Sequence, residues 1–268
     1  MQTRIWLTAG FTVLCVVAAF VLPAVPQPLE YHDFADQRTI FGMDHFLNVV
    51  SNIGFVIAGM AGLVVVARRQ TVFAADCERW PYAVLFVGVL LTGVGSAYYH
   101  LAPDNETLFW DRLPMTVAFM ALVSSQIVDR INVRLGLLLL VPMLLLGAAS
   151  VIYWRATERM GVGNVLPYAI LQGYAVFVLL LLAALHPSRY TRGQDLFLVF
   201  GWYILSKVLE SLDAQVLALG QIVSGHTLKH LAAAAAGGVV CCMLAHRTMR
   251  VPEASGARPA SSQGLKLQ

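Results

Sequence analysis

The chain has 268 residues, 58% of them hydrophobic and only 12% charged, with a mean hydropathy of +0.70. Soluble domains carry about 25% charge, so the composition excludes an ordinary water-soluble fold and predicts an all-α integral membrane protein. The net charge of +3 is small and argues against a nucleic-acid partner. Cys15, Cys77, Cys241 and Cys242 include no CxxC pair, which speaks against a disulfide framework or a cysteine-ligated metal.

Spanning a bilayer as a helix takes roughly 20 apolar residues. In chain order the candidates are Ile5–Val25, Phe46–Ala67, Tyr82–Leu101, Leu113–Val128, Leu135–Tyr153, Val165–His186, Leu196–Leu212 and His226–Ala245. They predict a seven-transmembrane-helix core over 46–246 plus one additional N-terminal helix in 1–25. That first segment reads as a retained helix or uncleaved anchor. Its apolar run is long for a signal peptide, and Pro23 and Pro26 blur any small-residue cleavage site. Residues 26–45 form an acidic loop. The stretch 247–268, rich in Pro, Ser, Gly and Ala, reads as a disordered tail.

Loop arginines set the expected orientation. With the N-terminus inside, the inner face collects Arg4, Arg68, Arg69, Arg79, Arg130, Arg134, Arg189, Arg192, Arg247 and Arg250, with Arg258 and Lys266 in the tail. The outer loops keep Arg38, Arg112, Arg155 and Arg159 and are otherwise acidic, with Glu30, Asp33, Asp36, Asp44, Asp104, Glu106 and Asp111. Trp80, Trp110 and Trp154 fall where an interfacial aromatic belt is expected. Both termini are thus expected in the cytoplasm.

Under this orientation His100, Asp111, His226 and His230 all reach the outer side at similar depth. Residues four apart share a helix face, which pairs Ser96 with His100 and His226 with His230. Two imidazoles at that spacing chelate one ion, and a third from a facing helix leaves room for water, the usual plan of catalytic zinc. Zinc would lower the pKa of that water to about 7. A Ser224 cap places His226 in the first turn of its helix, where the dipole favours the neutral, ligating imidazole. Hydrolysis further needs a base and an oxyanion donor; Asp111 and Ser96 are the candidates. Two polar stripes, Asn48/Ser51/Asn52 and Lys207/Glu210/Asp213, are read as supporting groups: interhelical hydrogen bonding for the first, a structural ion pair at Lys207–Glu210 for the second. His32, His45, His186 and His246 read as interfacial or loop positions. The acidic outer loop reads as a solvated face, with calcium as the alternative.

At these motifs the chain resembles the alkaline ceramidase family, within the superfamily that also holds adiponectin- and progestin-receptor-type membrane proteins. Asn48–Asn52 (NVVSN), Gly95–His100 (GSAYYH), Asp111–Met115 (DRLPM) and Gly225–His230 (GHTLKH) match four ordered family motifs. Tyr31–Arg38 (YHDFADQR) is similar to the bacterial branch. The resemblance implies Zn2+ held by His100, His226 and His230, with Asp111 acting on the zinc-bound water and Ser96 polarising the carbonyl. It implies hydrolysis of the amide of ceramide or a similar N-acyl lipid to a fatty acid and a sphingoid base; with the arginine-based orientation, the site is expected toward the periplasmic side of a bacterial inner membrane. The calcium-associated acidic segment of the eukaryotic enzymes is reduced here to Asp33 and Asp36, the candidate Ca2+ residues. Arg112 replaces the glutamate of the Asp-Glu-Leu-Pro-Met version, and Lys229 stands where an aromatic residue is common. Two rival readings use the same polar groups: a receptor-like lipid-binding protein with structural zinc, and a proton or ion pathway.

Overall fold

A computed structural model describes residues 2–250 of the chain. The expectation of a disordered tail over 251–268 therefore lies outside the described residues. Among those residues the fold is all-helical, with two isolated bridges, Ile40 to Met43 and Tyr190 to Met249, and no strand. In order the helices are α1 (Gln2–Val21), α2 (Phe46–Val50), α3 (Ile53–Ala67), α4 (Arg79–Leu101), α5 (Asn105–Arg130), α6 (Val133–Arg159), α7 (Leu166–Leu185), α8 (Asp195–Ser211), α9 (Asp213–Gly220) and α10 (Gly225–His246).

Five spans are long and apolar enough to cross a membrane: Phe46–Ala67, Asp76–Leu101, Val133–Arg159, Leu166–Leu185 and Gly225–His246. No more than 56% of any of them is buried inside the bundle, and in α6 only 28%. Leu138, Val141, Leu145 and Leu146 stand exposed on α6. Apolar surface on that scale needs a nonaqueous neighbour, so the molecule is a membrane protein. Five spans meet the length and apolarity criterion, not the expected seven. Of the other two expected spans, α8 is only 17 residues long and α5 carries Glu106, Asp111, Arg112, Asp129 and Arg130.

Helix α4 packs between α3 and α5, and α10 between α3 and α8, while α6 lies against the outside of α5. The additional helix α1 leans on α7, where Phe11 meets Phe177 at 4.1 Å between ring centroids. Helix α5 starts two turns before the expected boundary. A capping box at Asp104 opens it, with the carboxylate accepting from the Thr107 N–H at 2.7 Å and the Thr107 hydroxyl accepting from the Asp104 N–H at 3.1 Å. Its first turn is tied to α6 by Glu106, which accepts from Arg155 and Arg159 at 3.0 and 2.7 Å.

The two ends of the bundle have different polar chemistry. At the end where α4 begins and α5 and α10 finish, Arg247 pairs with buried Asp129 at 2.9 Å, and the Tyr82 hydroxyl donates to the same carboxylate at 2.7 Å. Glu78 is wholly buried there and receives Arg189 and the Tyr190 hydroxyl. The histidines occupy the opposite end. Trp80 and Trp110 are exposed near the helix ends, as an aromatic belt requires, but Trp154 is 0% exposed. Its ring turns inward beneath Arg112, and its indole N–H donates to Glu158 at 3.0 Å.

Candidate metal centre

Two glycines bring the participating helices together. A Cβ on Gly95 would stand 1.9 Å from the Trp110 carbonyl oxygen, so only glycine lets α4 approach the start of α5 this closely. Ser96 and Asp111 follow those two residues, so their side chains are brought close together at this junction. A Cβ on Gly225 would stand 2.2 Å from the Leu209 carbonyl oxygen, so α10 begins tightly against the end of α8. The Ser224 hydroxyl caps α10, accepting from the Thr227 N–H at 3.1 Å.

His100, His226 and His230 converge at this junction, all buried, with one nitrogen from each lying within 4.8 Å of the others. The Nε2 atoms of His100 and His230 are 3.2 Å apart, and those of His226 and His100 are 3.3 Å apart. Zinc–nitrogen bonds of 2.0–2.1 Å in a tetrahedron put the nitrogens about 3.3 Å from one another, so the donor set and its spacing fit a single small cation. Ser51 sharpens the fit. Its hydroxyl donates to the Asn48 carbonyl at 3.1 Å, so it accepts from His230 Nδ1–H at 2.8 Å. The proton then sits on Nδ1 and leaves the Nε2 lone pair free to ligate. The Nδ1 of His100 has no partner among the described residues.

The other expected residues fall into three groups. Asn48 is buried between α2 and α10, where its Oδ1 accepts from the Thr227 hydroxyl at 2.8 Å. Asn52, in the break between α2 and α3, donates back to the Asn48 carbonyl of α2 at 2.7 Å. Lys207 and Glu210 do pair, and Glu210 also holds Lys229 at 2.8 Å. Asp213 accepts from the His226 N–H at 2.7 Å and from the Ala35 N–H at 2.9 Å, tying the 26–45 loop to the head of α10. Asp33 is exposed, and Asp36 is bound up with Arg38. Neither joins a group of His, Cys, Asp or Glu with metal-binding spacing among the described residues.

Three further residues shape the centre. Phe34, 5% exposed, wedges its ring against His100 and His226 at centroid distances of 4.6 and 4.5 Å. Nothing local in the sequence marks it. Lys229 donates to His226 Nε2 at 3.1 Å and so competes with a metal for that lone pair. Its i, i+3 spacing from His226 was the available signal. Arg112, a charged residue at the head of a predicted span, is buried. A cavity of about 390 Å³ runs from Ser96, Asp111 and His230 down between α4, α5, α7, α8 and α10 to Leu85, Phe86, Leu122 and Val240. It is polar at the histidine end and apolar beyond.

Fold and site together define a helical membrane protein with a three-histidine centre at the mouth of an apolar cavity. A sequence model of the ceramidase family matches residues 43–256, and the chain belongs to the ceramidase family. Comparison with curated proteins returned no match.

Proposed function

We propose that the protein is a zinc-dependent membrane amidohydrolase that cleaves the N-acyl amide of ceramide or a similar lipid, releasing a fatty acid and a sphingoid base. The observation that carries this reading is the convergence of three buried imidazoles, each offering a nitrogen within 4.8 Å of the others, with Ser96 and Asp111 lining the polar end of the adjoining apolar cavity. Zinc bound by His100, His226 and His230 supplies a Lewis acid and a nucleophile at neutral pH.

The chain's own groups account for the remaining demands. The apolar cavity takes the acyl chain. From His230 to Val240 it follows α10 for about 15 Å. The Asp111 carboxylate takes the proton of the attacking water and returns it to the departing amine nitrogen. Ser96 carries one hydroxyl proton, given to Asp111 in the resting state and to the carbonyl oxygen as negative charge builds there. Phe34 covers the histidines and keeps bulk water from them. We further propose that α5 and α8 complete a seven-helix core, with both termini cytoplasmic and the histidines toward the periplasmic leaflet of a bacterial inner membrane.

Purified protein assayed for metal and for turnover of N-acyl lipids tests the reading. Asp111→Asn is expected to retain zinc and lose turnover by roughly two orders of magnitude or more, whereas His226→Ala loses both. Unimpaired cleavage by Asp111→Asn overturns the mechanism. Zinc binding with no turnover of any N-acyl lipid favours the receptor-like alternative.

A further inference from the structure

Arg112 is a buried charge that the mechanism above leaves without a task. It is 5% exposed and lines the cavity beside Asp111. Its Nη2 donates to the neutral Gln27 side chain at 2.6 Å, and its Nη1 meets no acceptor among the described residues. The guanidinium carbon lies 4.3, 4.9 and 5.5 Å from the ring centroids of Trp154, Tyr168 and Tyr31. Those rings stabilise a cation through their faces but neutralise nothing. The buried arginine at the other end of the bundle is different: Arg247 has Asp129 at 2.9 Å.

The charge balance around the cavity mouth leans the same way. Both Lys207 and Lys229 are bound to Glu210, and the other carboxylate, Asp111, lies within electrostatic reach of Lys229 and Arg112 together, in ion-pair contact with neither. Three cationic side chains therefore face two carboxylates, before any metal adds its own charge. A buried guanidinium with no carboxylate in direct contact is costly and is retained where something compensates it. A planar guanidinium fits a carboxylate in two-pronged geometry. Arg112 stands at the polar end of the cavity, so its partner belongs to the amine half of the substrate, the acyl half being matched to the apolar end.

We propose that Arg112 receives a carboxylate carried on the amine side of the scissile amide, which makes N-acyl amino acids the preferred substrates over neutral ceramides. This rests on the amidase reading and moves its preferred substrate from ceramide to another class of N-acyl lipid, with an amino acid replacing the sphingoid base as product. Water adds its hydroxyl to the acyl carbon and its proton to the departing nitrogen, the C–N bond breaks, and the carboxylate on Arg112 passes unchanged into the amino acid product.

The test compares N-dodecanoyl glycine, its methyl ester and a ceramide with the same acyl chain, all presented to the purified, metal-loaded protein. The free acid is expected to exceed the ester in kcat/KM by at least about tenfold, the value of one charge-assisted contact. Arg112→Gln is expected to shrink that difference by raising KM for the acid several-fold more than for the ester. Thermal-shift binding of the same acid and ester to Asp111→Asn protein is expected to give the same order without turnover. If Arg112→Gln fails to fold, the acid-to-ester ratio of the unmodified protein decides alone. Equal cleavage of acid and ester, or an equal loss of both in Arg112→Gln, overturns the inference and assigns Arg112 to packing. Cleavage of ceramide alone overturns it while leaving the amidase reading intact, and cleavage of none of the three overturns both.

Discussion

The Ser51 hydroxyl has one proton and two neighbours, and that arithmetic controls a histidine. Its proton goes to the Asn48 carbonyl, so the contact with His230 is donated by the ring, and the ligating lone pair faces His100 and His226. Such outer partners typically govern metal affinity by 10–100-fold. Ser51→Ala is therefore expected to weaken zinc binding by about that factor, measured by competition with a chelator, with the helical content unchanged. Unaltered affinity would mean that the hydroxyl does not set the tautomer. At this scale the sequence was legible wherever the relation was local. His226 and His230 are neighbours by helical periodicity alone, as are Ser96 and His100. Phe34 and Arg112 were not legible as site residues, because their burial depends on partners brought in from distant helices and no spacing rule carries that information.

Helix boundaries show where hydropathy misleads. Asp111 and Arg112 are polar residues inside the first turns of α5, so an apolar count begins the helix too late; the Asp104 capping box was the better marker of its start. The expected span Phe46–Ala67 is interrupted at Ser51 and Asn52, where backbone bonds tighten to Asn52 N–H with Val49 O and Gly54 N–H with Ser51 O. Side-chain competition for the backbone explains that break. The 26–45 segment is more than the solvated acidic loop expected. Arg38 joins Asp36 to the Gln221 and Ile222 carbonyls at 2.8 Å each, and Asp213 grips the Ala35 N–H, so the segment is strapped across the histidines. Hydrogen bonds from the Arg38 side chain hold the Asp36 carboxyl below its ordinary range. A carboxyl whose folded pKa lies below its unfolded one stabilises fully above the unfolded value, near 3.9, and loses that contribution as pH falls through the folded value. Asp36→Asn is thus expected to loosen the strap at neutral pH, seen as faster proteolysis within 29–45. The difference from the unmodified protein should shrink as pH drops below about 4. A difference that persists undiminished in acid would show that the strap is held by something other than this pair.

Across the whole molecule, the bundle separates a structural end from a chemical one. At the first, Asp129, Glu78, Tyr82, Arg189, Tyr190 and Arg247 hold one another through ion pairs and hydrogen bonds, with Asp129 Oδ1 and Arg247 Nη2 left over among the described residues. At the second, the charges surround a cavity, and three buried nitrogens, Asn48 Nδ2, His100 Nδ1 and Arg112 Nη1, keep no hydrogen-bond partner among the described residues. The proposed orientation, drawn from the arginine bias, puts the structural end in the cytoplasm, and the structure supplies a reporter that tests it. Cys77 lies in the 3-10 turn Asp76–Glu78, at the structural end, and it is exposed. The exposed Cys242 sits within the apolar span Gly225–His246, and Cys15 and Cys241 are partly covered. The thiolate, formed readily in water and poorly in lipid, is the reactive species, so Cys77 should dominate labelling by a membrane-impermeant maleimide. In intact spheroplasts Cys77 is expected to stay unlabelled, and permeabilisation should expose it. A cysteine placed at exposed Asp33 in a Cys77→Ser background should show the reverse order. Labelling of Cys77 from outside would invert the bundle and place the histidine end, with its cavity mouth and Arg112, in the cytoplasmic leaflet, so that the lipid amides available to the site would be those of that leaflet.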